Sequence, residues 1–185
     1  MRTFKQAYGF KTLRTENPAE VMRRIWAAPT FEVHGLTGGY HVPGVKTVVP
    51  GHGELKISMR LVPSQTPEKV FTLLKKYVAK LNPAVKVERE GMLHPFRGVF
   101  DGPYVEAVKR AVQAGFGKEP AFIREGGSIG AVVTMQKAWK VPILFMGLSL
   151  PEHGYHAPNE YFDWGQASGG IKAFSHYFSE LAENR

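Results

Sequence analysis

The stretch Glu54-Leu55-Lys56-Ile57-Ser58-Met59-Arg60-Leu61 alternates polar and apolar residues without a break. That period of two is the mark of a strand with one face buried. Leu55, Ile57, Met59 and Leu61 are expected inward, with Glu54, Lys56 and Arg60 sharing the outer face. Just downstream, Thr66-Pro67 opens a helix, the threonine as cap and the proline with its φ already set for the first turn. Val70, Leu73, Leu74, Tyr77, Val78 and Leu81 follow at helical spacing. Val85-Lys86-Val87-Glu88 reads as another strand. Upstream, Thr30-Phe31-Glu32-Val33-His34 reads as a short strand before a glycine-rich loop from Gly35 to Gly44. Strand, strand, helix, strand describes half of an α+β sandwich, an antiparallel sheet with a helix on one side.

Beyond this block the pattern differs on each side. Residues 1–28 contain one helical candidate, capped by Asn17, opened by Pro18 and carrying Val21, Met22, Ile25 and Trp26 down one face. After Pro95 the helical spacing of Val105, Val108, Val112 and Phe116 ends at Gly117. Residues 131–139 read as a helix. Val141-Pro142-Ile143-Leu144-Phe145-Met146 is a continuous apolar run, the signature of a strand buried on both faces of a parallel sheet. A final helix carries Ile171, Phe174, Phe178 and Leu181. Alternating helices and strands indicate an α/β unit, so a boundary is expected between residues 90 and 97.

Composition narrows the function classes. The 185 residues contain no cysteine, which excludes disulfide scaffolds, thiolate-held metals and thiol nucleophiles. No apolar run reaches the roughly 18 residues of a membrane span, and the start lacks an apolar signal core; a soluble cytoplasmic protein with no membrane partner is expected. The net charge is +8, yet the basic residues are scattered. They read as a solvated surface or an attraction to acidic small molecules rather than to nucleic acid. The acids are 14 Glu and only two Asp, Asp101 and Asp163, too few for any site built on several aspartates.

Two constellations carry chemistry. Arg124-Glu125-Gly126-Gly127-Ser128-Ile129-Gly130 stands at a strand-to-helix junction. A glycine turn at a helix start makes an anion nest to which Ser128 adds a donor; equally, Ser128 is a plain helix cap. The same residues match G-x-S-x-G, which leaves a serine hydrolase with Ser128, Asp163 or Glu152, and His176 as a remote alternative. The second constellation, Pro151-Glu152-His153-Gly154-Tyr155-His156-Ala157-Pro158-Asn159-Glu160, follows the apolar run, where α/β sites sit. His153 and His156, with Glu152 and Glu160, are candidate zinc ligands, or surface side chains in a rigid loop. Arg60 is a candidate bidentate clamp for a carboxylate. His34, His41, His52, His94 and His176 stand in separate segments and read as structural or solvated.

Five motifs together resemble a known family: Pro29-Thr30-Phe31-Glu32-Val33-His34-Gly35-Leu36, Lys46-Thr47-Val48-Val49-Pro50, Ser58-Met59-Arg60-Leu61-Val62-Pro63, Arg124 to Ile129, and Gly154 to Glu160. In this order they resemble the carboxy-terminal half of the co-catalytic zinc peptidases. These include cytosolic dipeptidases (carnosinases), glutamate carboxypeptidases, aminoacylases and acetylornithine deacetylases, and the dipeptidase branch is the most similar. The resemblance covers about residues 20–183 and implies an α/β plus α+β fold: the end of an α/β zinc-peptidase catalytic domain with half of a ferredoxin-like lid or dimerisation domain. Residues 1–28 would lead into the lid, 29–92 form the lid half, and 93–185 close the catalytic domain.

The resemblance also implies roles. His156 matches a ligand of one of two zinc ions. Gly127 and Ser128 match the turn that receives the substrate's carboxylate, and Arg60 the arginine that pairs with it. Thr47 matches a lid residue that reaches the partner subunit's site in a homodimer. The intact enzyme would polarise a peptide carbonyl between the metals and attack it with metal-bound hydroxide. The departures are specific. No His is followed two places later by Asp, no Glu-Glu pair occurs, and no Asp-x-His-Ser-Gly segment is present. Gly130 stands where proline is usual, and Glu152-His153 where two acids are common. The expectation is a carboxy-terminal portion, inactive alone, that needs an amino-terminal half from elsewhere; a non-catalytic dimeric binding module is the alternative.

Overall fold

The computed structural model describes residues 1–125 and 129–183. Its elements are α1 (Arg2–Ala7), α2 (Pro18–Ala27), β1 (Glu32–Gly38), β2 (Gly53–Ser58), α3 (Pro67–Leu81), α4 (Pro103–Phe116), α5 (Gly130–Trp139), a single 3-10 turn (Pro151–His153) and α6 (Trp164–Glu183). They divide into two compact units. One comprises Met1–Met22, Arg97–Glu125 and residues 131–183; the other comprises Arg23–Phe96 with Ile129 and Gly130.

The first unit is organised by α4 against α6. Val105, Ala107, Val108 and Ala111 form the buried face of α4, with Ala111 wholly enclosed. Gly169 and Ala173 face α4 from α6, while Gly170 is buried against Leu148. Small residues let the two backbones approach closely. A Cβ built on Gly115 would stand 2.5 Å from the Gly169 carbonyl oxygen and 2.9 Å from the Ala173 Cβ. At the rim, Arg110 Nε donates to both oxygens of Glu180 at 2.8 Å, and this pairing holds the Glu180 carboxyl below the ordinary carboxylate range. α4 starts with proline in its first turn and stops at Gly117, whose φ of 69° is the left-handed cap expected there.

The apolar run 141–146 forms no strand. Among the described residues the only sheet is β1–β2, so the run has no ladder to join. Val141 and Phe145 are left exposed. Between Leu148, Phe162 and the α6 residues Ile171, Phe174 and Phe178 lies an open apolar groove of about 480 Å³.

The second unit is built on β1 and β2, which pair antiparallel with Leu36 opposite Leu55 and a bulge between Val33 and Gly35. β1 runs through Gly35 to Gly38, where a loop was expected, because Gly35 fits closely over Lys56: a Cβ there would meet the Lys56 Cβ at 3.0 Å. β2 ends at Ser58, short of Leu61. Two contacts carry the pairing further, Thr30 N–H to the Arg60 carbonyl at 3.0 Å and Arg60 N–H to Thr30 Oγ1 at 3.1 Å. Leu55 is exposed, against its expected inward place, whereas Ile57, Met59 and Leu61 are half-buried. α3 forms over the expected span, but Leu73, Tyr77 and Leu81 of its apolar face remain exposed. Residues 85–88 form no strand, since no third strand pairs with the two present.

α2 begins as expected, with Asn17 Oδ1 accepting from the Ala19 and Glu20 N–H groups at 3.0 and 3.2 Å. Among the described residues no helix is long and apolar enough to cross a membrane.

Candidate functional site

The loop between the 3-10 turn and α6 holds the second constellation, and its geometry follows from a single histidine. His153 is 1% exposed. Its Nδ1 accepts from the Leu150 N–H at 3.1 Å, while its own N–H donates to the Leu150 carbonyl at 3.0 Å. Because Leu150 N–H can only donate, Nε2 carries the ring proton and donates it to Asp163 Oδ2 at 2.7 Å. Tyr161 and Phe162 close on the ring edge-on, with centroids 5.0 and 5.7 Å away. The His153 carbonyl accepts from Tyr161 N–H at 3.1 Å.

Asp163 divides its carboxylate between two tasks. Oδ1 caps α6 through Gln166 N–H at 2.9 Å, and Oδ2 takes the His153 proton. The Gln166 amide first, and then the His153 bond, hold this carboxyl below the usual aspartate range.

His156 stands at the crown of the loop. Its φ is 64°, and Asn159 has φ 62°, a left-handed backbone that few non-glycine residues adopt. The conformation is held by Glu160 Oε2, which accepts His156 N–H at 3.3 Å, and by Ala157 N–H on the Gly154 carbonyl at 2.9 Å. The His156 imidazole is exposed, its ring edge-on to Tyr155 at 5.8 Å. From the amino terminus, Tyr8 reaches the same place. Burial and a hydrogen bond to Tyr155 raise its pKa, and Tyr8 packs among Phe4 and Phe10 with centroids 4.9 and 5.9 Å away.

The zinc cluster expected of His153, His156, Glu152 and Glu160 is not assembled. Both ring nitrogens of His153 are engaged within the loop, and Glu160 is turned to the His156 backbone. Among the described residues no three His, Cys, Asp or Glu side chains converge on a common point, so they do not amount to the three or four protein ligands of a zinc centre. His156 remains as a single exposed imidazole. Asp163 is bound to His153 rather than to His176, which removes the pairing on which one serine-hydrolase arrangement depended. Gly127 and Ser128 lie outside the described residues. Arg60 and Thr47 lie in the second unit, both exposed, and His156 in the first. Sequence reasoning missed the engagement of His153 by Asp163 and the approach of Tyr8 to Tyr155.

Residues 3–86 match the peptidase dimerisation domain of the M20 type. The chain belongs to the M20 metallopeptidase family, as the carboxy-terminal portion of such a peptidase. Among curated relatives, the Cys-Gly metallodipeptidase dug1 of Schizosaccharomyces pombe is 32% identical over 98% of this chain. The human Beta-Ala-His dipeptidase is 32% identical over 89% of it. The chain spans 40% and 34% of their lengths. Among solved structures, human carnosine dipeptidase 1 superposes with a TM-score of 0.84 at 28% identity, covering 99% of this chain and 40% of that one. The di-peptidase Dug1p of Saccharomyces cerevisiae gives 0.85 at 28% identity, covering 98% and 39%.

Proposed function

We propose that this chain supplies one metal ligand and part of the substrate-carboxylate pocket of a zinc-dependent dipeptidase, and that it does not hydrolyse peptides alone. The observation that carries this is the His156 loop: one exposed imidazole on a closed, strained loop, with no second and third ligand around it among the described residues. The apolar run 141–146 and the groove beside α6 support the same reading. Both leave apolar surface that a larger α/β sheet would cover. In the completed enzyme His156 would take one of the two zinc ions. Arg60, Gly127 and Ser128 would receive the free carboxylate of a dipeptide, and Thr47 would reach a partner subunit's site. Cytoplasmic dipeptides of the kind that name the relatives, Cys-Gly and β-Ala-His, are the substrate class.

The test is hydrolysis of both dipeptides by the purified chain, with zinc and with a chelator, and again after addition of an amino-terminal M20 portion carrying His-x-Asp and Glu-Glu. Zinc-dependent turnover by the chain alone would sink the proposal. Turnover only on addition of the second portion, abolished by H156A, is the expected result.

A second reading, a non-catalytic homodimeric binding module, is favoured by the dimerisation-domain match and by a two-stranded sheet with open edges. Calorimetry with a dipeptide separates the two: binding without zinc by a dimer favours the module.

A further inference from the structure

We infer that His153 and Asp163 act as a clasp that positions His156, so that one residue pair sets the geometry of the loop's crown. The functional weight given to His156 rests on the reading above, but the clasp itself is a property of this chain. His153 ties the start of the loop to its end through three contacts: Leu150 N–H at 3.1 Å, Asp163 Oδ2 at 2.7 Å and Tyr161 N–H at 3.1 Å. Asp163 then joins that closure to α6 through Gln166. The residues from Tyr155 to Glu160 are exposed, and apart from the Tyr8–Tyr155 hydrogen bond they keep short local bonds. Two left-handed non-glycine residues, His156 and Asn159, stand within them. Such backbone persists only where the surroundings over-determine it, and the clasp, with His153 as its buried member, supplies that restraint at the base of the loop. Both members are positioning residues, since neither is placed against substrate.

The chemistry of the pair gives a discriminating set of variants. In D163N the asparagine oxygen still caps α6 through Gln166, but its amide nitrogen then faces the Nε2–H of His153, donor against donor. Flipping the imidazole tautomer merely moves the conflict to Leu150 N–H. In H153Q the terminal amide nitrogen reaches the Nε2 position and still donates to Asp163. In H153N the shorter side chain serves Leu150 but falls short of Asp163.

The measurement is solution NMR of the 185-residue chain, reading amide exchange at Tyr161 and the φ-dependent coupling of His156. In D163N and H153N, Tyr161 exchange is expected to rise roughly tenfold, and His156 is expected to lose its left-handed coupling while α6 amides stay protected. H153Q should keep both signatures. Should D163N fail to fold, the contrast between H153Q and H153N decides alone. An unchanged His156 coupling in H153N, or its loss in H153Q, would overturn the clasp. Neither result depends on metal or turnover, so failure of the clasp and failure of the dipeptidase reading are separable.

Discussion

The α4–α6 pair and the β1–β2 ladder are built on opposite terms. The helix pair buries its small and β-branched residues, with Val105 at 1% and Ala111 at 0% exposure. The ladder leaves Leu36 80% exposed, beside Leu55 at 56% across the strands. Helices joined through glycine and alanine complete their contact within the chain, because Gly115, Gly169 and Ala173 meet directly across the two elements. A two-stranded ladder satisfies hydrogen bonds along one edge of each strand and needs further layers to cover its faces. The same chain therefore contains one helix–helix contact that is complete and a ladder whose apolar faces await partners.

Substitutions test this contrast in descending order. At Gly115 a side chain must displace the Gly169 carbonyl, so G115V is expected to cost about 2–3 kcal/mol in urea unfolding. A loss under 0.5 kcal/mol there would mean that the close approach does not organise the first unit. N17A removes the α2 cap and is expected to cost about 1 kcal/mol, read by the same method. Acid unfolding should show a smaller effect of definite sign. Asp163 and Glu180 both titrate below their ordinary values in the folded chain. Their stabilisation is therefore complete only above about pH 5, beyond the ordinary carboxylate range, and is lost as the pH falls through their folded values. E180Q should flatten that acid limb by lowering the neutral-pH plateau, so that its curve meets the wild-type curve at low pH. The smallest effect belongs to the ladder's open face: L36K and L55K should change monomer stability by no more than about 0.5 kcal/mol. A large loss there would show that the face is covered in solution.

Local signals were legible, and pairings were not. Asn17-Pro18 and Thr66-Pro67 mark helix starts by the chemistry of their own side chains, and Gly117 marks a stop. Each needs nothing distant to take effect. Residues 85–88 and 141–146 have strand-like sequences, yet a strand exists only when another backbone accepts its hydrogen bonds. β1 was underestimated because Gly35 and Gly38 read as loop formers, whereas Gly35 allows a bulge to sit over Lys56. At the site, the prominence of His156 could be read from its loop. The role of His153 could not, because its partner stands ten residues away and follows no periodicity. One usable signal was available: Asp163, one of two aspartates, immediately precedes a helix in an N-cap position, which fixes its carboxylate near the loop's end.

The central claim, one ligand from this chain and the remainder from elsewhere, is tested most directly by dipeptide hydrolysis by the purified chain with zinc present. No turnover alone, and zinc-dependent turnover once an amino-terminal portion bearing His-x-Asp and Glu-Glu is added, is the expected result. Turnover by the 185 residues unaided, abolished by a chelator and by H156A, would contradict it.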